Sequence, residues 1–99
     1  MKQHRYRITV EHLADQNGAA STYAAPLQFE IGNHDDIFSV VQRLNQRGDL
    51  PTDAATAFGV GLKLFGEVML ENRSHPLFSD FLPHFGQFMK NLKKGTPAD

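Results

Sequence analysis

Ninety-nine residues at a formal net charge of −1, with 40% hydrophobic content, suffice for one domain with a modest core. The near-neutral balance, with no strongly basic stretch, argues against a dedicated nucleic-acid-binding surface. The absence of cysteine excludes disulfides, thiolate chemistry and cysteine-based zinc sites.

The opening MKQHRYRITV lacks the apolar run of a signal peptide, and no window reaches the length of a membrane span. A soluble, cytoplasmic protein is therefore expected. His4 to Leu13 alternates, with Tyr6, Ile8 and Val10 on one side and Arg5, Arg7, Thr9 and Glu11 on the other. Such alternation is the mark of a half-buried strand. Thr22 to Ile31 repeats it, with Tyr23, Ala25, Leu27, Phe29 and Ile31 on the apolar side. Between them lies Asn17-Gly18, a strong hairpin signal. A two-residue turn there would set Ile8 opposite Leu27, Tyr6 opposite Phe29, Val10 opposite Ala25 and Arg5 opposite Glu30. Pro26 removes a ladder donor and so marks an edge or a bulge. Two strands alone are marginal, and an edge left unpaired could join a second copy.

Asn33 offers a helix cap, with Asp35 and Asp36 placed to complement the dipole. Ile37, Val40, Val41 and Leu44 then follow at helical spacing, and Gly48 suits the position after a helix end. The first helix is expected over 35–47.

The longest apolar pattern is TDAATAFGVGLKLFGEVMLENR, from Thr52 to Arg73. Wound at about 100° per residue, it aligns Phe58, Leu62, Phe65 and Met69. A second line, Ala57, Gly61, Leu64 and Val68, runs beside the first. Thr56, Lys63, Glu67 and Glu71 gather on the far side as a solvated face. An apolar sector of roughly half the circumference needs partners on more than one flank. The pattern predicts a central helix, the most buried of the chain, capped by Thr52 or Asp53. Gly59, Gly61 and Gly66 each cost about 1 kcal/mol inside a helix. Close approach of another backbone, a hinge or a ligand-facing groove, or a break into two shorter helices would account for them.

Ser74-His75-Pro76 ends this helix. A third helix is expected from Ser79 or Asp80, with Pro83 in its first turn. Its stripe is Phe81, Leu82, Phe85, Phe88, Met89 and Leu92, and Lys90, Lys93 and Lys94 complement its C-terminal dipole. Residues 95–99 are expected to fray, leaving one domain over 1–99 with an ordered part of about 3–94.

The five histidines, His4, His12, His34, His75 and His84, include no i, i+4 pair and no H-E-x-x-H. His75 and His84 flank the start of the last helix and could approach each other. No serine has nucleophile-elbow context, and no glycine run has phosphate-loop spacing after a strand. No catalytic residue, cofactor or metal is expected from these patterns.

The blocks KQHRYRITVEHL, GLKLFGEVMLENRSHPLF and PHFGQFMKNLKK resemble a family of small bacterial proteins catalogued as a domain of unknown function. The resemblance runs from about Lys2 to Lys94. It implies a bacterial, stand-alone, single-domain protein, and it carries no activity or site residue.

The fold expected is α+β: an antiparallel hairpin followed by three helices, ββααα. The expected core is Tyr6, Ile8, Val10, Leu27, Phe29, Val40, Val41, Leu44, Phe58, Leu62, Phe65, Met69, Phe81, Phe85, Phe88 and Met89. The function expected is a protein-interaction module, self-associating through the hairpin edge or binding an unidentified protein. Leu77 and Phe78 are its candidate contacts, beside His75 and His84. The alternative is a small-ligand or metal-binding protein, or an enzyme, with a pocket near His75 and His84.

Overall fold

The structure, a computed structural model, describes residues 2–94. It forms two compact units, Met1–His34 and Asp35–Asp99. The class is the expected α+β, a two-stranded hairpin followed by helices.

In the first unit β1 (His4–Val10) pairs antiparallel with β2 (Leu27–Asn33). Tyr6 faces Ile31, Ile8 faces Phe29 and Val10 faces Leu27, a register two residues away from the expected one. Because side chains alternate with period two, this slip leaves the apolar residues of the paired strands on their expected face. The turn differs as well. A two-residue type I′ turn needs positive φ at both central residues, and Asn17 has none. Instead Gly18 N–H donates to the Asp15 carbonyl at 3.0 Å, and Asp15 N–H donates to the Ala19 carbonyl at 2.8 Å. Gly18 takes φ 86°, so a type I turn closes through a glycine bulge. The Asp15 carboxylate holds this geometry by accepting from the N–H groups of Asn17 and Ala19, both at 2.9 Å.

Beyond the turn, Ala14 bridges Ala20, and Ser21 N–H donates to the Leu13 carbonyl. From there to Leu27 the second arm holds more residues than the first. The surplus leaves the ladder as a bend at Ala24 and Ala25, and Pro26 sits outside the strand, where its missing donor costs no ladder bond. The second strand therefore begins at Leu27 and not at Thr22. On the wet face Arg7, directly opposite Glu30, pairs with it at 2.9 Å, while Arg5 lies 3.9 Å away. Val10, Leu27 and Phe29, expected in the core, are exposed.

The second unit opens with α1 (Ile37–Arg47). Asp36 caps it, its carboxylate accepting from Phe38 N–H at 3.0 Å and Ser39 N–H at 3.4 Å. Gly48 closes it at φ 80°. The expected cap, Asn33, is instead the buried last residue of β2. Asp35 is an ion-pair partner, 2.7 Å from the Lys63 ammonium.

The central helix, α2 (Thr52–Glu71), matches the expected span closely and carries the most buried positions, among them Ala55, Leu62 and Met69. Thr52 and Asp53 do not cap it. Pro51 holds the cap position with no side-chain hydrogen bond, and both residues lie in the first turn. Glu67, expected on a solvated face, is buried. Helical spacing sorts residues by angle around one axis and carries no information about what covers each angle.

The α1 stripe Val40 and Leu44 packs with Ala55, and Phe58 and Leu92 close over this cluster. Gly59 permits that approach: a Cβ there would lie 3.0 Å from both Leu44 Cδ1 and Val41 Cγ2. The close-packing explanation therefore holds for Gly59. A Cβ at Gly66 would make only ordinary contact with Phe85, and one at Gly61 would meet nothing within 4 Å.

Two helices follow where one was expected, making four among the described residues. The added element is α3 (Pro76–Ser79), a single turn whose cap is His75. Then comes α4 (Leu82–Lys93), with Phe81 at its cap position. Ser79 ends α3, Asp80 follows it, and neither caps α4. Pro83 does stand in the first turn. The tail expected to fray, 95–99, lies outside the described residues. No described residue of α3 or α4 is buried.

Candidate interaction surface

The apolar stripe of α4 faces α2 and meets it ring to ring. Phe65 sits with its ring centre 6.2, 6.1 and 6.0 Å from those of Phe78, Phe81 and Phe85, and Phe58 meets Phe88 at 6.0 Å. These separations suit edge-to-face and tilted aromatic pairs. Contact of this kind leaves the outer edges of the rings open. Phe65, Phe81 and Phe88 are 42–43% exposed, although all three were expected in the core. Between them runs a groove of about 460 Å³, lined by Ala57, Phe58, Gly61, Leu62, Phe65, Phe81, His84, Phe85 and Phe88. No lining residue carries a formal charge, and His84 is the one titratable group among them.

Leu77 projects from α3, 73% exposed, while its neighbour Phe78 is half-buried against Phe65. His75 and His84 do different things. His75 Nδ1 accepts from Leu77 N–H at 3.0 Å, and its ring lies against Phe78. A nitrogen used this way holds its lone pair inside the cap. His84 stacks on Phe81 and lines the groove, which His75 does not. Neither the groove nor the histidines assemble an acid–base pair. Among the described residues no group of three or more His, Asp or Glu side chains converges as a metal site.

A second, smaller cavity of about 320 Å³ lies among α1, α2 and α4, lined by Val40, Leu44, Leu62, Met89 and Leu92 with Arg43, Lys63 and Lys93 at its margin. Nearby, Arg47 grips Asp49 with two nitrogens, at 3.2 and 2.9 Å, and donates to the Leu92 carbonyl at 3.0 Å. The hydrogen bond from Arg47 holds the Asp49 carboxyl below its ordinary range and raises the guanidinium in return. This arrangement ties α4 to the end of α1.

Sequence reasoning placed Phe65, Phe81 and Phe88 in the core because their spacing is that of a buried stripe. The signal that they exceed the available cover is the pairing of two wide apolar helices in a chain with few other elements to lay over them.

The family described as a domain of unknown function with a solved structure, DUF3861, matches residues 4–94. The chain is also similar to a protein of unknown function from Pectobacterium atrosepticum whose crystal structure has been solved at 2.20 Å resolution. The two are 42% identical, with a TM-score of 0.80 over 94% of this chain and 99% of that one. No curated protein matches the chain. No helix of the described residues is long and apolar enough to cross a membrane.

Proposed function

The chain belongs to the DUF3861 family, which brings no activity with it, and on that premise we propose that it is a small cytoplasmic protein-interaction module. The observation that carries this reading is the phenylalanine face of α2 and α4, with Leu77 also exposed on α3. Large rings half in solvent around an uncharged groove are what a binding surface offers, since aromatic anchors dominate interface energetics. A contiguous exposed apolar patch otherwise invites aggregation.

Affinity capture from a lysate of the protein's own organism tests the reading. The wild-type chain should retain a partner that the Leu77→Ser, Phe88→Ser variant releases, with both chains folded by circular dichroism. Identical capture by the two would overturn it.

A second reading rests on the groove's volume and on His84 at its wall. About 460 Å³ lies within the range of small-molecule sites, and an aromatic ligand with one hydrogen-bonding group would suit it. A thermal-shift screen of aromatic metabolites should then show saturable stabilisation that is lost in His84→Ala. A flat screen would eliminate it.

A further inference from the structure

We infer that the second apolar line of α2 is the interface of a two-fold homodimer, in which two α2 helices cross antiparallel at Gly61. The inference rests on the interaction-module reading and assigns the partner: a second copy of this chain.

Ala54, Ala57, Gly61, Leu64 and Val68 follow one another at spacings of three, four, three and four residues. At about 100° per residue they fall within an arc of roughly 80°. That repeat is the seam of a helix that packs along another helix. Yet Ala54, Ala57, Gly61 and Val68 are exposed, and only Leu64 is half-buried. The opposite side of α2, with Ala55, Gly59, Leu62 and Gly66, is already buried. One helix thus presents two apolar sides, of which one is covered.

Gly61 sharpens the point. Glycine inside a helix costs about 1 kcal/mol, and at Gly59 the packing of α1 repays it. At Gly61 nothing within 4 Å would obstruct a Cβ, so the monomer has no use for a glycine there. Close approach of a second backbone is a use for one.

Three features point to a second copy. The seam is self-complementary in volume, since its small half, Ala54 and Ala57, precedes Gly61 and its large half, Leu64 and Val68, follows it. Reversing one copy about Gly61 sets small against large on both sides. No charged residue lies on the seam, so a two-fold axis brings no like charges together along it. An antiparallel crossing also opposes the two helix dipoles. The seam runs on into the groove through Ala57 and Gly61, which brings the open rings of Phe65, Phe81 and Phe88 to the same interface. At about 200 Å² per ring, the exposed parts of these three amount to roughly 250 Å². That is about a third of the ~800 Å² that each partner buries in a stable interface.

Light scattering coupled to size exclusion, on the full chain at high micromolar concentration, tests the inference. The wild type should run as a dimer. Gly61→Glu should run as a folded monomer, its dissociation constant raised roughly a hundredfold or more by two carboxylates forced into an apolar interface. A Cβ at position 61 meets nothing within 4 Å in the monomer and the substitution improves helix propensity, and an unchanged circular dichroism spectrum separates loss of the dimer from misfolding. Leu70→Glu, an equal charge on the far side of α2, should remain dimeric. A monomeric wild type overturns the inference and leaves capture through Leu77 and Phe88 to decide the module reading separately. A Gly61→Glu variant that stays dimeric overturns it also, and directs attention to the hairpin edge.

Discussion

Replacing Leu44 with alanine should lower the free energy of unfolding by about 2–5 kcal/mol, seen in urea as an earlier midpoint with an unchanged slope. Leu44 is buried with Val40 and Ala55 under Phe58 and Leu92. Removing its branched end opens a cavity that helices on three sides cannot close together. The effect is large because the core is thin: six hydrophobic residues are buried, against thirteen large ones exposed, among the described residues. A domain of this size has only about 5–15 kcal/mol of stability in total. Leu77→Ala, at an exposed position, should change stability by no more than about 0.5 kcal/mol. A similarly small change for Leu44→Ala would place the core elsewhere.

Two glycines of one helix should respond with opposite signs. Gly59→Leu should destabilise by about 2–3 kcal/mol. Its Cβ alone would press to 3.0 Å from Leu44 and Val41, and the Val41 Cα stands 3.5 Å away, so the further carbons can be housed only if α1 shifts. Leucine's better helix propensity offsets a minor part of this. Gly61→Ala, measured at low micromolar concentration, should stabilise by about 0.5–1 kcal/mol, since its Cβ enters open space. Thermal unfolding of both variants against the wild type reads the two signs. Equal effects would mean that α1 does not approach α2 at Gly59.

The contrast between Gly59 and Gly61 also shows where the sequence stops being informative. The extent of α2 was legible because its apolar period persists over 20 residues, long enough to outweigh three glycines. The faces of the hairpin were legible for the same reason, since alternation survives a slip of two. Its register was not: the turn depends on the Asp15 carboxylate bonding to Asn17 and Ala19, which Asn17-Gly18 does not reveal, and the slip itself comes from the residues that leave the ladder between Ala20 and Leu27. The α3 turn was missed because Ser74-His75-Pro76 reads as a helix stop, whereas proline is equally at home in a helix's first turn once His75 supplies the cap.

The candidate surface was half legible. Leu77 stood out as an apolar residue in a break between helices. Phe65, Phe81 and Phe88 did not, because the spacing of an apolar stripe is the same whether its cover comes from the same chain or from another. The second line of α2 was visible in the sequence, and so was its need for a partner. That no described residue covers it required the structure.

The central claim is that α2 carries one covered apolar side and one open one. The chain has no cysteine, so a single thiol can report on each. Ala55 is fully buried and Ala57, two residues on, is exposed. The rate at which an aromatic disulfide reagent labels Ala55→Cys and Ala57→Cys, in dilute folded protein, should differ by orders of magnitude, with the second near the rate of a free thiol. Raising the protein concentration should then slow labelling at position 57 alone. Comparable rates at the two positions in dilute solution would contradict a helix with two different sides.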